Sequence, residues 1–377
     1  MTFGIEGQYR MSVTIGDYED FLTEDKFEKF VLIENTGLSL PYWELRFTCV
    51  FPELLRYFNE KQPILVQLGT TSQNVEPVNL VIKKPVVIPE SSDSSSVILY
   101  GFTSKHQYLE NEYKQSYPDA TSFSCAQQIA KKYGWQFKSN ISNTNDKMTY
   151  YQPGESDYKF LFNTWLHSYY ADNDLIIPTI TTKDILKYDS VMQLIADFDP
   201  EKAPTFVDNN PEKDEILVNA NTGSESNTTI TNMFGNYVKD RYIFDIETGL
   251  FTHVNIENNT PLISESKTNS VDESISRSSG FYVQSSNVHK NFYKQELINT
   301  QKYFSLQSSK QWVSVADKLV SDIYPGDLAM YMSKKGNNQV NDQISGMYLV
   351  NRRVVSIKDR KVHTNFQLIR ENMNYSK

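Results

Sequence analysis

The sequence predicts a mixed, mainly β protein, with small antiparallel β units at either end and an α/β region with helices between them. Three observations carry this prediction. Trp43, Leu45, Phe47, Cys49 and Phe51 alternate with polar residues, the period of a half-buried strand. Tyr158, Leu161, Phe162, Trp165, Leu166 and Tyr169 recur with helical period, which gives one buried face. Near the C-terminus, the turn Tyr324-Pro325-Gly326-Asp327 is followed by three apolar runs, Leu328 to Met332, Tyr348 to Val355 and Val362 to Ile369.

Residues 1–104 read as a first β domain. Met11, Val13 and Ile15 alternate, and Ile64 to Leu68, then Val78, Leu80 and Ile82, supply further strands. A short helix is expected at Pro52 to Asn59, with Pro52 in its first turn. A Ser-rich loop, Ser91 to Ser96, leads into a strand at Val97 to Phe102. Many short strands with one short helix predict a small barrel or sandwich, whose curvature hides sheet edges.

Residues 105–204 form an α/β spacer. Ser124 is the expected cap of a helix with Ala126, Ile129, Ala130 and Tyr133 on its apolar face, and Gly134 stops it. An extended piece at Trp135 to Phe137 follows. Pro153 and Gly154 are expected to break the extended segment that contains Tyr151 and Gln152. Ser156 then caps the amphipathic helix, and Asp157 places negative charge in its first turn, where the helix dipole favours it. Strands are expected at Leu175 to Ile180 and Ile185 to Tyr188.

Residues 205–377 return to β structure, with a polar insertion around 245–304. Strands are expected at Glu215 to Val218 and Tyr242 to Ile246, and a helix near Lys290 to Lys302. The stretch from 252 to 279, rich in Ser, Thr, Asn and Glu, is either a long surface loop or a partly ordered insertion.

Composition narrows the function. The 377 residues carry a net charge of −9, which argues against a protein that grips nucleic acid through phosphates. No apolar run approaches the roughly 20 residues that span a bilayer, so no membrane anchor is expected. The N-terminus, Met1 to Glu6, has neither the basic nor the apolar region of a signal peptide. Cys49 and Cys125 both sit in apolar patterns, predicting buried free thiols rather than a disulfide.

A search for catalytic chemistry finds little. His106, His167, His253, His289 and His363 are scattered, with no metal-binding spacing, and His167 reads as a surface or interface residue. Glu155 and Asp157 suggest a glycosidase-like carboxylate pair but fit better as cap and dipole partners. The acidic run Asp208 to Glu215 lacks calcium-loop spacing. The sequon at Asn227 has no secretory route to make use of it. Lys334-Lys335-Gly336 and Arg352-Arg353 are either solvated charge or contacts to an acidic neighbouring subunit. No cofactor, metal or catalytic residue is expected.

Tyr151 and Gln152, then Glu155-Ser156-Asp157, then Phe160 and Leu161 opening a helix, resemble a signature of the central baseplate hub proteins of contractile phage tails. The same features are found in the late-control D proteins and the N-terminal half of the type VI secretion spike protein. The later Pro325-Gly326-Asp327 turn with its following strands, and the Ser276-Arg277-Ser278-Ser279-Gly280 run before a helix, fall in matching order. The resemblance implies two tube-protein-like β-barrels per chain and a homotrimer without enzymatic activity. Such a trimer adapts a hexameric tail tube, or its initiator protein, to a trimeric central spike. It would also contact baseplate wedge proteins and pass DNA through its channel without specific binding, in a virion tail baseplate assembled in the host cytoplasm. Because the sequence stops at Lys377, the spike is expected on a separate protein. The alternatives are a β-rich receptor-binding adhesin, with aromatics exposed as sugar platforms, and a tail-associated glycosidase or peptidase.

Overall fold

The computed structural model describes residues 3–5, 9–16, 18, 22, 26–50, 56–70, 76–91, 94–212, 214–223, 238–255, 262–263, 277–307, 309–316, 318–334, 339–359 and 361–371. The expected β-rich, largely antiparallel architecture is what it shows. The first segment contributes β1 (Phe3–Ile5), β2 (Tyr9–Ile15), β3 (Phe27–Asn35), β4 (Tyr42–Cys49), β5 (Pro63–Thr70), β6 (Glu76–Pro89) and β7 (Ser95–Thr103). These pair in the order β1-β2-β5-β6-β7-β4-β3, every neighbour antiparallel. Alternation does what the sequence suggested: Met11, Val13 and Ile15 turn inward, as do Trp43, Leu45, Phe47 and Cys49. Strand β3 is not evident from the sequence, because its third inward position is a carboxylate: Phe30, Leu32 and Glu34 are the buried residues. Of the helix expected at Pro52 to Asn59, residues 52–55 lie outside the described residues, and 56 and 57 form a short helical turn.

The middle segment contains α1 (Gln107–Glu110), β8 (Glu112–Ala120), α2 (Ser122–Tyr133), β9 (Gln136–Lys138), β10 (Met148–Ser156), α3 (Asp157–Leu166), β11 (Ile176–Ile180), β12 (Ile185–Ser190) and α4 (Val191–Ala196). Strands β8 and β10 form an antiparallel ribbon. Strand β12 lies between β11, antiparallel, and β9, parallel. The cap of α2 is Thr121, not Ser124. Ser124 occupies the third helical position and closes a capping box with Thr121, which satisfies two open backbone donors rather than one. Gly134 adopts the left-handed conformation expected of a helix stop, φ 68°.

The last segment holds β13 (Thr205–Val207), β14 (Ile216–Leu217), β15 (Asn219–Gly223), β16 (Val238–Asp245), β17 (Phe251–Asn255), β18 (Arg277–Gln284), α5 (Phe292–Leu306), β19 (Ser309–Ala316), β20 (Leu328–Met332), β21 (Gly346–Lys358) and β22 (Lys361–Arg370). Strands β16–β18 make a separate small sheet with β16 central. The others join the first segment's strands in one 14-stranded sheet.

Strand β21 makes that joint. Its start pairs with β20 and its end, from Arg352 onward, pairs with β3. Its other edge pairs with β22. A bulge between Val350 and Arg352 marks the handover. Two hydrophobic cores therefore lie along one strand: Val355 and Ile357 join the core of the first strand set, while Tyr348 and Val350 join that of the last. A third core fills the middle segment around α2, α3 and β11.

At the handover, Arg353 donates from Nη1 to Glu34 Oε2 at 2.7 Å, and the two side chains are 5% and 1% exposed. Glu34 Oε1 accepts from the backbone and hydroxyl of Thr182 at 2.8 and 2.9 Å, tying the middle segment to the same point. Replacing Arg353 with Met keeps its apolar bulk but leaves Glu34 charged and unpaired in the interior. We expect a loss of about 3–5 kcal/mol, read from the urea unfolding midpoint.

Candidate functional site

The Glu-Ser-Asp motif sits where β10 runs directly into α3. Pro153 and Gly154 do not end the strand as expected. They bulge it between Pro153 and Glu155, with Gly154 at φ 95°, and pairing with β8 resumes through Ser156. Ser156 is the expected N-cap and accepts from the Lys159 backbone at 3.4 Å. The inward faces of α3 are Phe160, Leu161, Thr164 and Trp165. Phe162 is 40% exposed, and Tyr169 lies beyond the end of the helix. Phe160 stacks on Tyr117 with centroids 4.9 Å apart.

Asp157 does more than complement a dipole. It is fully buried and accepts three side-chain bonds: from Gln152 Nε2 at 3.0 Å, Lys132 Nζ at 2.6 Å and Tyr133 Oη at 2.6 Å. Gln152 also donates to the Glu155 carbonyl at 2.8 Å, which fixes the bulge. Lys132, from the last turn of α2, covers the ring of Tyr113 at 3.0 Å. Burial, reinforced by the hydrogen bond to Asp157, pushes the Tyr133 phenol far above its ordinary value. Glu155 points elsewhere, toward Asn163, so the two carboxylates do not form a catalytic pair. Tyr151 is 62% exposed on the outer side of the ribbon.

The Pro325-Gly326-Asp327 turn is a second junction. Its first neighbour is an irregular segment rather than a strand, but β20 follows it as expected. Asp327 N donates to Tyr324 O at 3.1 Å and Gly326 has φ 88°, the geometry of a type II turn. Asp327 accepts from Tyr324 N at 2.8 Å and from Lys187 Nζ of β12 at 2.5 Å. A Cβ on residue 326 would lie 3.0 Å from Thr179 Oγ1 of β11. The Tyr324 ring lies under Arg353 at 4.8 Å and Lys183 at 5.2 Å. Among the described residues, no hydrogen bond joins the two motifs.

The remaining candidates are absorbed within the chain. Arg352 donates to Asn35 at 2.6 Å, Arg353 pairs with Glu34 as described above, and Lys334 pairs with Glu215 at 3.0 Å, so the described basic residues of both clusters have partners within the chain; Lys335 and Gly336 lie outside the described residues. Asp208 accepts from Tyr331, Ser333 and the Lys334 backbone. Among the described residues there is no group of three or more His, Cys, Asp or Glu arranged to hold a metal. Both cysteines are buried thiols that form no disulfide. Asn227 lies outside the described residues. No helix among the described residues is long and apolar enough to cross a membrane.

One feature was not legible in the sequence. Strand register places Tyr242, His253 and Phe281 side by side, with Phe244, Phe251 and Val283 in the next row. These six residues form one face of the β16–β18 sheet. Phe251 is 66% exposed and Phe281 58%, with Ile246 and Leu250 exposed in the adjoining turn. The opposite face packs on α5 through Ile243, Tyr282 and Arg241, whose Nη1 bonds Glu296 at 2.7 Å. The sequence signal was alternation in β16, hidden because its partners come from both sides of the polar stretch.

Three substitutions test the junctions. Asp157→Ala removes the acceptor shared by the buried Gln152 amide, the half-buried Tyr133 hydroxyl and the partly exposed Lys132 ammonium, and is expected to cost about 1–3 kcal/mol in chemical unfolding. Glu155→Gln is expected to change it by less than about 0.5 kcal/mol. Gly326→Ala forces a left-handed conformation against Thr179 and is expected to cost about 1–3 kcal/mol.

No protein-family model and no curated protein matches the sequence. Solved structures do. A tail protein from Neisseria meningitidis superposes with TM-score 0.59 at 11% identity, covering 96% of this chain and 96% of that one. A 43 kDa tail protein of a prophage from Shewanella oneidensis gives 0.56 at 10% identity, covering 97% of this chain and 100% of that one. An Escherichia coli component of the type VI secretion system gives 0.49 at 12% identity, covering 97% of this chain and 79% of that one. The resemblance drawn from the sequence is thus borne out as a likeness of fold: this chain has, along nearly its whole length, the fold of the first two of these tail proteins.

Proposed function

We propose that this chain is a structural component of a contractile injection machine, the trimeric baseplate hub that joins a hexameric tail tube to a trimeric central spike. The carrying observation is the end-to-end fold likeness to two tail proteins, with almost nothing left over in either chain. The arrangement of two β cores along β21 supports the mechanism. Each chain would offer two β units, residues 1–104 and 205–377, braced by the spacer 105–204. Three chains then present six units to the tube and three to the spike. The role is mechanical and non-catalytic, with the Glu-Ser-Asp corner and the Pro-Gly-Asp turn as fixed corners of the frame. The negative net charge suits a channel past which DNA slides without sticking. The aromatic face, built from Tyr242 and Phe244 together with residues of the insertion 245–304, we assign to contacts with spike or wedge proteins.

One observation favours a second reading. The same exposed aromatics are what a receptor-binding adhesin would use to stack on sugar rings. Light scattering separates the two. The hub is expected at three times the mass of one chain, alone or on adding a trimeric spike protein. A monomer that ignores the spike and binds glycans would establish the adhesin, and clearing of peptidoglycan in a gel would overturn the non-catalytic role.

A further inference from the structure

The C-terminus of α3 is fastened to α5 by one asparagine and two histidines. Asn299 donates to the carbonyls of Trp165, Leu166 and Ser168 at 3.3, 3.0 and 2.9 Å, meeting acceptors that a helix end leaves open. His167, the residue after the helix, stacks on Phe292 with ring centroids 3.5 Å apart, and its Nδ1 lies 3.2 Å from the Phe292 carbonyl. His289 Nε2 lies 3.0 Å from the His167 carbonyl. Because both partners are carbonyls, each of these nitrogens must carry the hydrogen. In the neutral ring the other nitrogen then holds a lone pair, and for His289 that atom, Nδ1, is buried without a hydrogen-bond partner.

We propose that this junction is a pH-sensitive latch, which holds α5 and the β16–β18 sheet against α3 while both rings are neutral and loosens when they are protonated. Burial is the largest influence on each ring and holds it below its ordinary value of 6.5. His289 and Arg241 further oppose a charge on His167. Two carboxylates and the carbonyls pull the other way: Glu296 faces His167 and Asp146 faces His289. Both carboxylates are already engaged. Glu296 bonds Arg241, and Asp146 accepts from the Ser122 backbone and hydroxyl, Thr144 and the Tyr169 backbone. A new proton on His289 Nδ1 would therefore meet charge but no free acceptor. The sign follows from linkage. A histidine whose folded value is lowered binds fewer protons folded than unfolded, so the latch is intact above about pH 6.5 and weakens as pH falls below it.

Hydrogen exchange of the full chain, read by mass spectrometry at about pH 7.5 and about pH 5 and corrected for intrinsic rates, tests this. Peptides from α3 and from the first turns of α5 are expected to exchange several-fold faster in acid, while β21 does not change. The double variant His167→Gln, His289→Gln keeps a donor for each carbonyl and is expected to lose the response. Exchange in these peptides that ignores pH, or responds equally in the variant, overturns the latch. Should the variant not fold, the ring titrations of the unmodified chain decide by NMR: a value at or above 6.5 for either ring overturns the proposal. The latch is independent of the hub reading, because the mass measurement takes no account of these rings.

Discussion

Strand β21 is the constraint on which the rest of the structure depends. Two cores need it at once, and it can serve both because its free edge changes partner partway along, from β20 to β3. The change happens over a few residues, with a bulge in the pairing to β22 and Asn351 held by Thr36 through both its backbone and its side chain. Thr36 N donates to the Asn351 carbonyl at 2.8 Å, and Thr36 Oγ1 donates to the Asn351 side chain at 2.5 Å. The Glu34–Arg353 pair sits in that crossing. A slip of β3 by one residue would carry Glu34 away from Arg353 and turn Phe30 and Leu32 to solvent, so the ion pair and the apolar alternation select the same register.

The same device recurs where segments meet. Asp157 ties α2 to the start of α3, Asp327 ties β12 to the last strands, and Asp146 ties a loop to the start of α2. Each carboxylate is buried or half-buried and holds several donors. Such groups add little net stability over a well-packed apolar core, because desolvation offsets most of their attraction. What they add is direction. An apolar contact tolerates sliding, whereas a carboxylate with three donors has one satisfactory geometry.

Local features were legible in the sequence for physical reasons. Alternation gave β2 and β4, and Gly134 and Ser156 marked helix ends, because caps and faces are decided within a few residues. The turn at Tyr324 was equally plain, since Pro and Gly occupy the positions a type II turn demands. What stayed hidden was decided by partners far away in the chain. Strand β3 was obscured by an inward Glu34 whose partner lies 319 residues on. The burial of Asp157 could not be read because Lys132 and Tyr133 come from another helix. His167 was read as a surface or interface residue, and its partners within the chain could not be named because His289 and Phe292 arrive from beyond the polar stretch.

The β16–β18 sheet departs from the rule the other junctions follow. At the Glu34, Asp157 and Asp327 junctions, charged groups are matched within the chain. Here a row of aromatic side chains faces water on a sheet whose back is anchored by Arg241, Ile243 and Tyr282. Each exposed Phe forgoes roughly 25 cal/mol for every Å² left wet, which over a face of this size comes to several kcal/mol. A face so built, rigidly backed and free of lysine or arginine in its two central rows, is suited to apolar protein surface or sugar rings and poorly suited to DNA phosphates. It is therefore a face on which the chain has binding energy still to gain from a partner.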